Sequence, residues 1–257
     1  MPRILLLNPN TTSSVTALMV AVGRAVANPE TELVPLTAPR GFPYIATRAE
    51  AQVGGAVLLE MLAEAYDSAD AAIVAAFGDP GLLGARELFD IPVIGVSEAA
   101  MLTACMLGQR FAIVTFTRAL CPWFRDCVDL HGLGGRCAGI VALDGPVPSI
   151  DAVQDQNEHR LLALAEEIVR TSGADVLIFA GAPLAGLAAK VVGRLPVPVV
   201  DPVAAAVKQA ELLVALDPRK AVVGESARPG PKSSIGLPAP LADRMSHADA
   251  QSRSRHA

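Results

Sequence analysis

The sequence predicts an α/β protein made of two similar units in tandem, each with a parallel sheet. Three observations predict it. Short apolar runs bounded by Gly, Pro and Asn alternate with segments of helical spacing, the pattern of parallel α/β packing. Those runs are continuous rather than alternating, as expected of strands buried on both faces. The second half of the chain also repeats the first. Arg3 to Asn8 reappears as Arg110 to Thr115, and Ala69-Asp70 as Ala174-Asp175. Ile91-Pro92-Val93-Ile94-Gly95 reappears as Val197-Pro198-Val199-Val200-Asp201, and Ala99-Ala100 as Ala205-Ala206. A repeat of this kind marks a duplicated supersecondary unit.

Taken in order, Arg3 to Leu7 reads as a buried strand ending at Asn8-Pro9-Asn10-Thr11-Thr12. Val15, Leu18, Met19 and Val22 follow at helical spacing, with Thr11, Thr12 or Ser13 as the N-cap. A strand, a polar loop and a helix start form an anion-binding corner, although an ordinary capped helix has the same signature. Thr31 to Leu36 reads as a strand, Pro39 to Tyr44 as a Pro/Gly loop, and Ala49 to Ala69 as a helix. Ala72 to Ala76 is a strand that stops at Phe77-Gly78-Asp79-Pro80-Gly81-Leu82. Ligands bind outside the carboxyl ends of strands in open parallel sheets, so this is the first candidate binding loop. A helix over Pro80 to Leu88, a strand over Pro92 to Gly95 and a helix over Glu98 to Leu107 follow. Strands are then expected at Arg110 to Val114, Ala138 to Leu143 and Val176 to Phe179. The expected division is one lobe of 1–108 with 205–220, a second lobe of 109–204, and a flexible tail over 221–257, where Ser, Pro, Arg and Ala replace any apolar period.

The net charge of −5 argues against a nucleic-acid partner, which needs a basic face. No apolar run approaches the length of a membrane span or a signal peptide. Cys105, Cys121, Cys127 and Cys137 have no CxxC spacing and read as reduced thiols of a cytoplasmic protein. Two of the four histidines lie in the tail, none sits at a strand end, and no metal-ligand spacing is evident, so no metal is expected. Without a G-x-G-x-x-G after a strand, no dinucleotide cofactor is expected either.

The repeat has a mechanistic consequence. A pseudo-twofold between the units would set Ala76 to Asp79 opposite Ala180 to Leu184 across a cleft, with Gly181 the partner of Ala76. Two such walls suit proton movement between the faces of a planar intermediate. A structural duplication without bearing on mechanism would give the same repeat.

Arg3-Ile4 through Asn8-Pro9-Asn10-Thr11, Phe77-Gly78-Asp79-Pro80-Gly81-Leu82, Ile91 to Gly95, Glu98-Ala99-Ala100-Met101, Leu107-Gly108 to Val114-Thr115, and Asp201 with its following alanines resemble the aspartate/glutamate/hydantoin racemase superfamily. The hydantoin and allantoin racemases are the nearest members, and the resemblance runs from about Arg3 to Leu216. It implies two Rossmann-like lobes facing each other, a small carbonyl- or carboxylate-bearing ligand between them, no cofactor and a homo-oligomer. It also implies a cysteine on each wall, one thiolate removing the α-proton and the other thiol returning one on the opposite face.

This sequence departs from that pattern where the chemistry lies. Ala76 and Gly181 stand in the two cysteine positions, and neither a methyl group nor a hydrogen carries a transferable proton. The catalytic residues are therefore unassigned, with Asp79 and Cys121 as candidates. The expected ligand-binding residues are Asn8, Asn10, Ala76, Phe77, Gly78, Asp79, Thr115, Thr117, Gly181 and Ala182, and Tyr44 is a candidate lid contact. Asp79 has an ordinary alternative as a turn residue beside Pro80, and Glu98 as a helix-start carboxylate. Cys105 and Cys127 read as core residues and Cys137 as structural. Three readings follow: an enzyme of the superfamily, an isomerase or decarboxylase included, working without the thiol pair; a silent relative that binds; or an engineered inactive racemase.

Overall fold

The chain forms eight strands and nine α-helices among the residues that the structure, a computed structural model, describes: 1–145, 150, 152–224 and 226–249. The first half runs β1 (Arg3–Asn8), α1 (Ser13–Val26), β2 (Glu32–Thr37), α2 (Arg48–Ala65), β3 (Ala71–Val74), α3 (Leu82–Leu88), β4 (Val93–Gly95) and α4 (Val96–Leu107). The second runs β5 (Phe111–Thr115), α5 (Cys121–Leu130), β6 (Cys137–Ala142), α6 (Val153–Ser172), β7 (Val176–Phe179), α7 (Leu187–Lys190), β8 (Val199–Val200) and α8 (Pro202–Leu216). A last helix, α9, spans Ala239–Ser246.

Each half builds one four-stranded parallel sheet, ordered β2-β1-β3-β4 and β6-β5-β7-β8. The two orders are the same once the second is counted from its own first strand. The central strands are sealed on both faces: Ile4 to Leu7 and Ile113-Val114 are fully buried, which explains their unbroken apolar sequence. β3 ends at Val74, not at Ala76, because both neighbours stop pairing there, β1 at Leu7 and β4 at Gly95.

Helix ends follow local chemistry. Thr47 and Glu50 form a reciprocal capping box at the start of α2. Asp201 caps α8 by accepting from Val203 and Ala204 N–H, and its other oxygen accepts from Gly186 N–H. Thr12 occupies the N-cap position of α1, but its hydroxyl donates to the Pro43 carbonyl at 2.6 Å instead of capping. That bond ties the 39–47 loop to the β1–α1 turn. Helix α8 returns to the first half, packing on α1, α4, β3 and β4, and buried Glu211 accepts from Asn28 N–H and the Thr31 hydroxyl.

The segment from 221 onward, expected as a flexible tail, carries α9 docked against α2. Leu241 and Arg244 are each only 4% exposed. The Arg244 guanidinium lies over the rings of Tyr66 and Phe89, at 4.3 and 5.2 Å, and donates to the Leu88 carbonyl and to Asp90. Cation–π contact and satisfied donors hold down a helix that has too few apolar residues to announce itself. Residues 250–257 of the expected tail lie outside the described residues.

Candidate functional site

The loops leaving β3 and β7 meet at one cavity. Ala76 and Phe77 form one side, and Gly181, Ala182 and Pro183 form the other. Asn10 from the β1–α1 turn, Tyr44 from the 39–47 loop, and Trp123 with Phe124 from α5 complete it. Its volume is about 30 Å³, room for about two waters at ~10–15 Å³ each. Phe77 packs on Phe124, with ring centroids 4.6 Å apart, so the first wall is stacked against the second half of the chain.

Gly181 has φ +113°, and a Cβ there would sit 2.6 Å from the Phe116 ring. Phe116 in turn packs on Tyr44 with centroids 5.7 Å apart. An aromatic ring therefore occupies the space beside Gly181 that a side chain would need. Ala76 has no such obstacle and lines the cavity with its methyl group. Among the described residues, no backbone–backbone hydrogen bond uses the N–H of Phe77, Gly181 or Ala182. Tyr44 is the ionisable side chain of this lining; its hydroxyl is buried without a partner, and burial, then Glu50, pushes its pKa well above the ordinary value.

Of the ten expected binding residues, Asn10, Ala76, Phe77, Gly181 and Ala182 come together at the cavity, and Asn8, Gly78, Asp79, Thr115 and Thr117 do not line it. Asn8 is fully buried and braces the β1–α1 turn, donating to Thr16 and accepting from Asn10 N–H. Thr115 donates to the Ala180 carbonyl at 2.8 Å inside the second sheet. Thr117 begins the short turn Arg118–Leu120. Gly78 and Asp79 face a larger open cleft of about 690 Å³ on the other side of Trp123. Gly78 has φ +108° and lies directly against the Trp123 ring, so the indole separates the cavity from the cleft.

The two candidate acid/base residues also lie off the cavity. Asp79, at φ +48°, turns away and accepts from Ser97 and Glu98 N–H, both at 2.9 Å, at the start of α4. Cys121 is half-buried at the start of α5, and burial pushes its thiol pKa up.

Sequence reasoning missed a second polar cluster. His131, one turn after Cys127, places Nε2 3.7 Å from Asp79 Oδ2 and Nδ1 3.4 Å from Glu98 Oε1. Glu98 is gripped by both terminal nitrogens of Arg86. Cys127 Sγ lies 3.1 Å from the Ser97 hydroxyl, which accepts from Gly78 N–H. Burial alone would lower the His131 pKa, but Asp79, Cys127 and Glu98 outweigh it and raise it to about 11. Burial likewise opposes ionisation of Glu98, yet His131 and Arg86 pull its pKa down to about 2. Burial raises the Cys127 thiol. The available signal was Cys-x-x-x-His on one helical face, which reads as core while its partners, about thirty to fifty residues earlier, are unknown.

The sequence profile described as Asp/Glu/Hydantoin racemase matches residues 4–210. A hydantoin racemase of Rhizobium meliloti is 31% identical over 237 residues, covering 91% of this chain and 98% of that protein. The solved allantoin racemase of Klebsiella pneumoniae superposes with a TM-score of 0.88 at 33% identity, over 94% of this chain and 99% of that one. The allantoin racemase of Pseudomonas fluorescens gives 0.84 at 34% identity, over 91% and 100%.

Proposed function

Because the chain belongs to the Asp/Glu/hydantoin racemase family, we propose that it binds a small hydantoin-, allantoin- or amino-acid-like compound in the cavity between its two halves, without exchanging a proton between two thiols. One observation carries this reading: the two positions where the family resemblance expects cysteines, Ala76 and Gly181, line the same cavity and bear no thiol. The N–H groups of Phe77, Gly181 and Ala182 suit the oxygens of a carbonyl or carboxylate, as oxyanion-type donors do. Asn10 adds an amide. A ligand of this class exceeds the present cavity volume of about 30 Å³, so binding requires the lining to open. The four free cysteines support a reducing, cytoplasmic setting, and a homo-oligomer remains part of the reading.

The lining favours binding over turnover. Its ionisable side chain is Tyr44, whose hydroxyl is a poor base at neutral pH. A cofactor-independent isomerase or decarboxylase working in this cavity would have that phenol as its proton donor. The discriminating experiment incubates the protein with enantiopure hydantoins, allantoin and amino acids in deuterated water. Ligand-induced thermal shift, α-proton exchange and optical rotation are followed together. The expected result is a saturable thermal shift for one of these classes with exchange at the buffer rate. Exchange or racemisation above that rate would show that the cavity works as an enzyme site, and no shift with any of them would remove the binding reading.

A further inference from the structure

We infer that Cys127, His131 and Asp79 form a site for a single borderline-soft divalent cation of the Zn²⁺ class, bridging the loop after β3 to helix α5. The site is separate from the cavity and does not depend on what that cavity binds.

The three ligand atoms, Cys127 Sγ, a His131 ring nitrogen and an Asp79 oxygen, lie within 4.8 Å of one another. Tetrahedral coordination at ordinary zinc bond lengths, ~2.0–2.3 Å, sets neighbouring ligand atoms about 3.3–3.8 Å apart. The His131 Nε2 to Asp79 Oδ2 separation of 3.7 Å already falls close to that value. Small side-chain rotations would close the remaining gap to sulfur. Thiolate, imidazole and carboxylate are the donor set that favours Zn²⁺ over hard cations.

The second observation is the orphaned nitrogen. The His131 side chain is 8% exposed, and Nε2 is buried without a hydrogen-bond partner. At 3.7 Å, Asp79 is within ion-pair reach but too far for a hydrogen bond. Without an ion the ring's Nε2–H faces the Asp79 oxygen but does not hydrogen-bond to it, and a metal ion at the centre of the three atoms would take the place of that proton and bond the nitrogen directly.

The surroundings are those of a metal-binding histidine. The other ring nitrogen, Nδ1, faces Glu98 Oε1 at 3.4 Å, and Arg86 fixes that carboxylate from behind. A carboxylate on the far nitrogen orients the ring and sets its tautomer in metal sites. Asp79 is held by two backbone N–H groups, and the Ser97 hydroxyl lies beside the cysteine sulfur. Asp79 and Cys127 both border the open cleft beyond Trp123, which gives the ion its entry path and leaves the fourth position to water. On binding, the thiol and the imidazole release their protons to solvent, and thiolate plus carboxylate balance the charge of the ion. Asp79 lies two residues past Phe77, so the same ion would brace the first wall of the cavity against the second half of the protein.

The test loads the metal-stripped full chain with Zn²⁺ or Co²⁺ alone. The expected result is one ion per chain by metal analysis, with a thiolate-to-cobalt charge-transfer band and the intense visible bands of tetrahedral Co²⁺. Cys127→Ser and His131→Ala should each weaken binding at least about tenfold, while Cys121→Ser should leave it unchanged. If a variant fails to fold, the unaltered protein still decides: Zn²⁺ should protect Cys127, and not Cys121, from alkylation. Absence of stoichiometric binding, a Co²⁺ spectrum without the thiolate band, alkylation of Cys127 at an unchanged rate, or undiminished binding in both folded variants would overturn the proposal.

Discussion

Replacing Gly181 by alanine tests whether the second wall is built to exclude a side chain. The backbone there has φ +113°, a region in which an L-residue carries strain of about 1–3 kcal/mol. The new Cβ would also meet Phe116 Cε1 at 2.6 Å and Cδ1 at 3.2 Å. Phe116 is itself buried against Tyr44, so it cannot retreat freely, and overpacking of a filled core adds about 1–3 kcal/mol. Gly181→Ala is therefore expected to destabilise by about 2–6 kcal/mol, the sum of these two ranges. The two contributions separate in a double-mutant cycle. Phe116→Leu shortens the ring, and in that background the overpacking share should vanish, giving a favourable coupling of about 1–3 kcal/mol. Urea unfolding followed by the fluorescence of Trp123, the one tryptophan in the chain, measures all four variants. A Gly181→Ala protein within about 0.5 kcal/mol of the parent, or a coupling indistinguishable from zero, would refute the reasoning.

Three other predictions rest on separate parts of the structure. Asp79→Ala leaves the Ser97 and Glu98 N–H groups without their acceptor and should cost about 2–6 kcal/mol in urea unfolding, at roughly 1–3 kcal/mol per buried donor; a cost below about 1 kcal/mol would mean that water replaces the carboxylate. Arg244→Ala removes the stacking on Tyr66 and Phe89 and the bonds to Leu88 and Asp90, and should release α9, raising hydrogen exchange across 226–249 on the order of 10²-fold, which is about 2.7 kcal/mol of local stability. Burial works against ionised Glu211, but Lys208, Asn28 N–H and the Thr31 hydroxyl outweigh it and lower its pKa below the ordinary value of 4.5. Its stabilisation is complete above 4.5 and is lost as pH falls below that value, so Glu211→Gln should flatten the acid limb of the stability profile and leave the alkaline limb unchanged.

Much of the architecture was legible because its physics is local or repetitive. Buried parallel strands must be continuously apolar, and Ile4 to Leu7 and Val176 to Phe179 are. The duplication pairs Ala76 with Gly181, and both line one cavity. What stayed hidden depends on partners distant in sequence. Asp79 looks like a turn residue because the N–H donors it accepts from belong to α4, 18 residues later. Thr115 sits at a strand end, as ligand-binding residues do, but its hydroxyl is consumed by the Ala180 carbonyl 65 residues away. His131 and Cys127 read as an unremarkable helical pair until Asp79 and Glu98 are placed beside them. Helix α9 carries no sequence signal because Leu241 and Arg244 gain their stability from α2 and the Tyr66–Phe89 pair, not from any period of their own.

The two walls are not equally far from a thiol, and that asymmetry predicts what a single substitution does. At Ala76 the side chain already points to the cavity lining and only one sulfur is added. At Gly181 the backbone must change its φ and Phe116 must move. Ala76→Cys alone should thus create a base on one face of a bound hydantoin or amino acid. The N–H groups of Phe77, Gly181 and Ala182 can hold the developing enolate oxygen, while the opposite face meets glycine and aromatic carbon. Deuterium should return from the same sulfur that took the proton. In deuterated water the substrate should exchange its α-proton while keeping its configuration, with exchange outpacing inversion by on the order of 10²-fold, equivalent to about 2.7 kcal/mol between the two protonation routes. Mass spectrometry and chiral chromatography on one time course give both rates. Inversion that keeps pace with exchange would refute one-sided delivery and point to Tyr44, the ionisable side chain on the cavity. Ala76→Cys combined with Tyr44→Phe should then exchange without inverting.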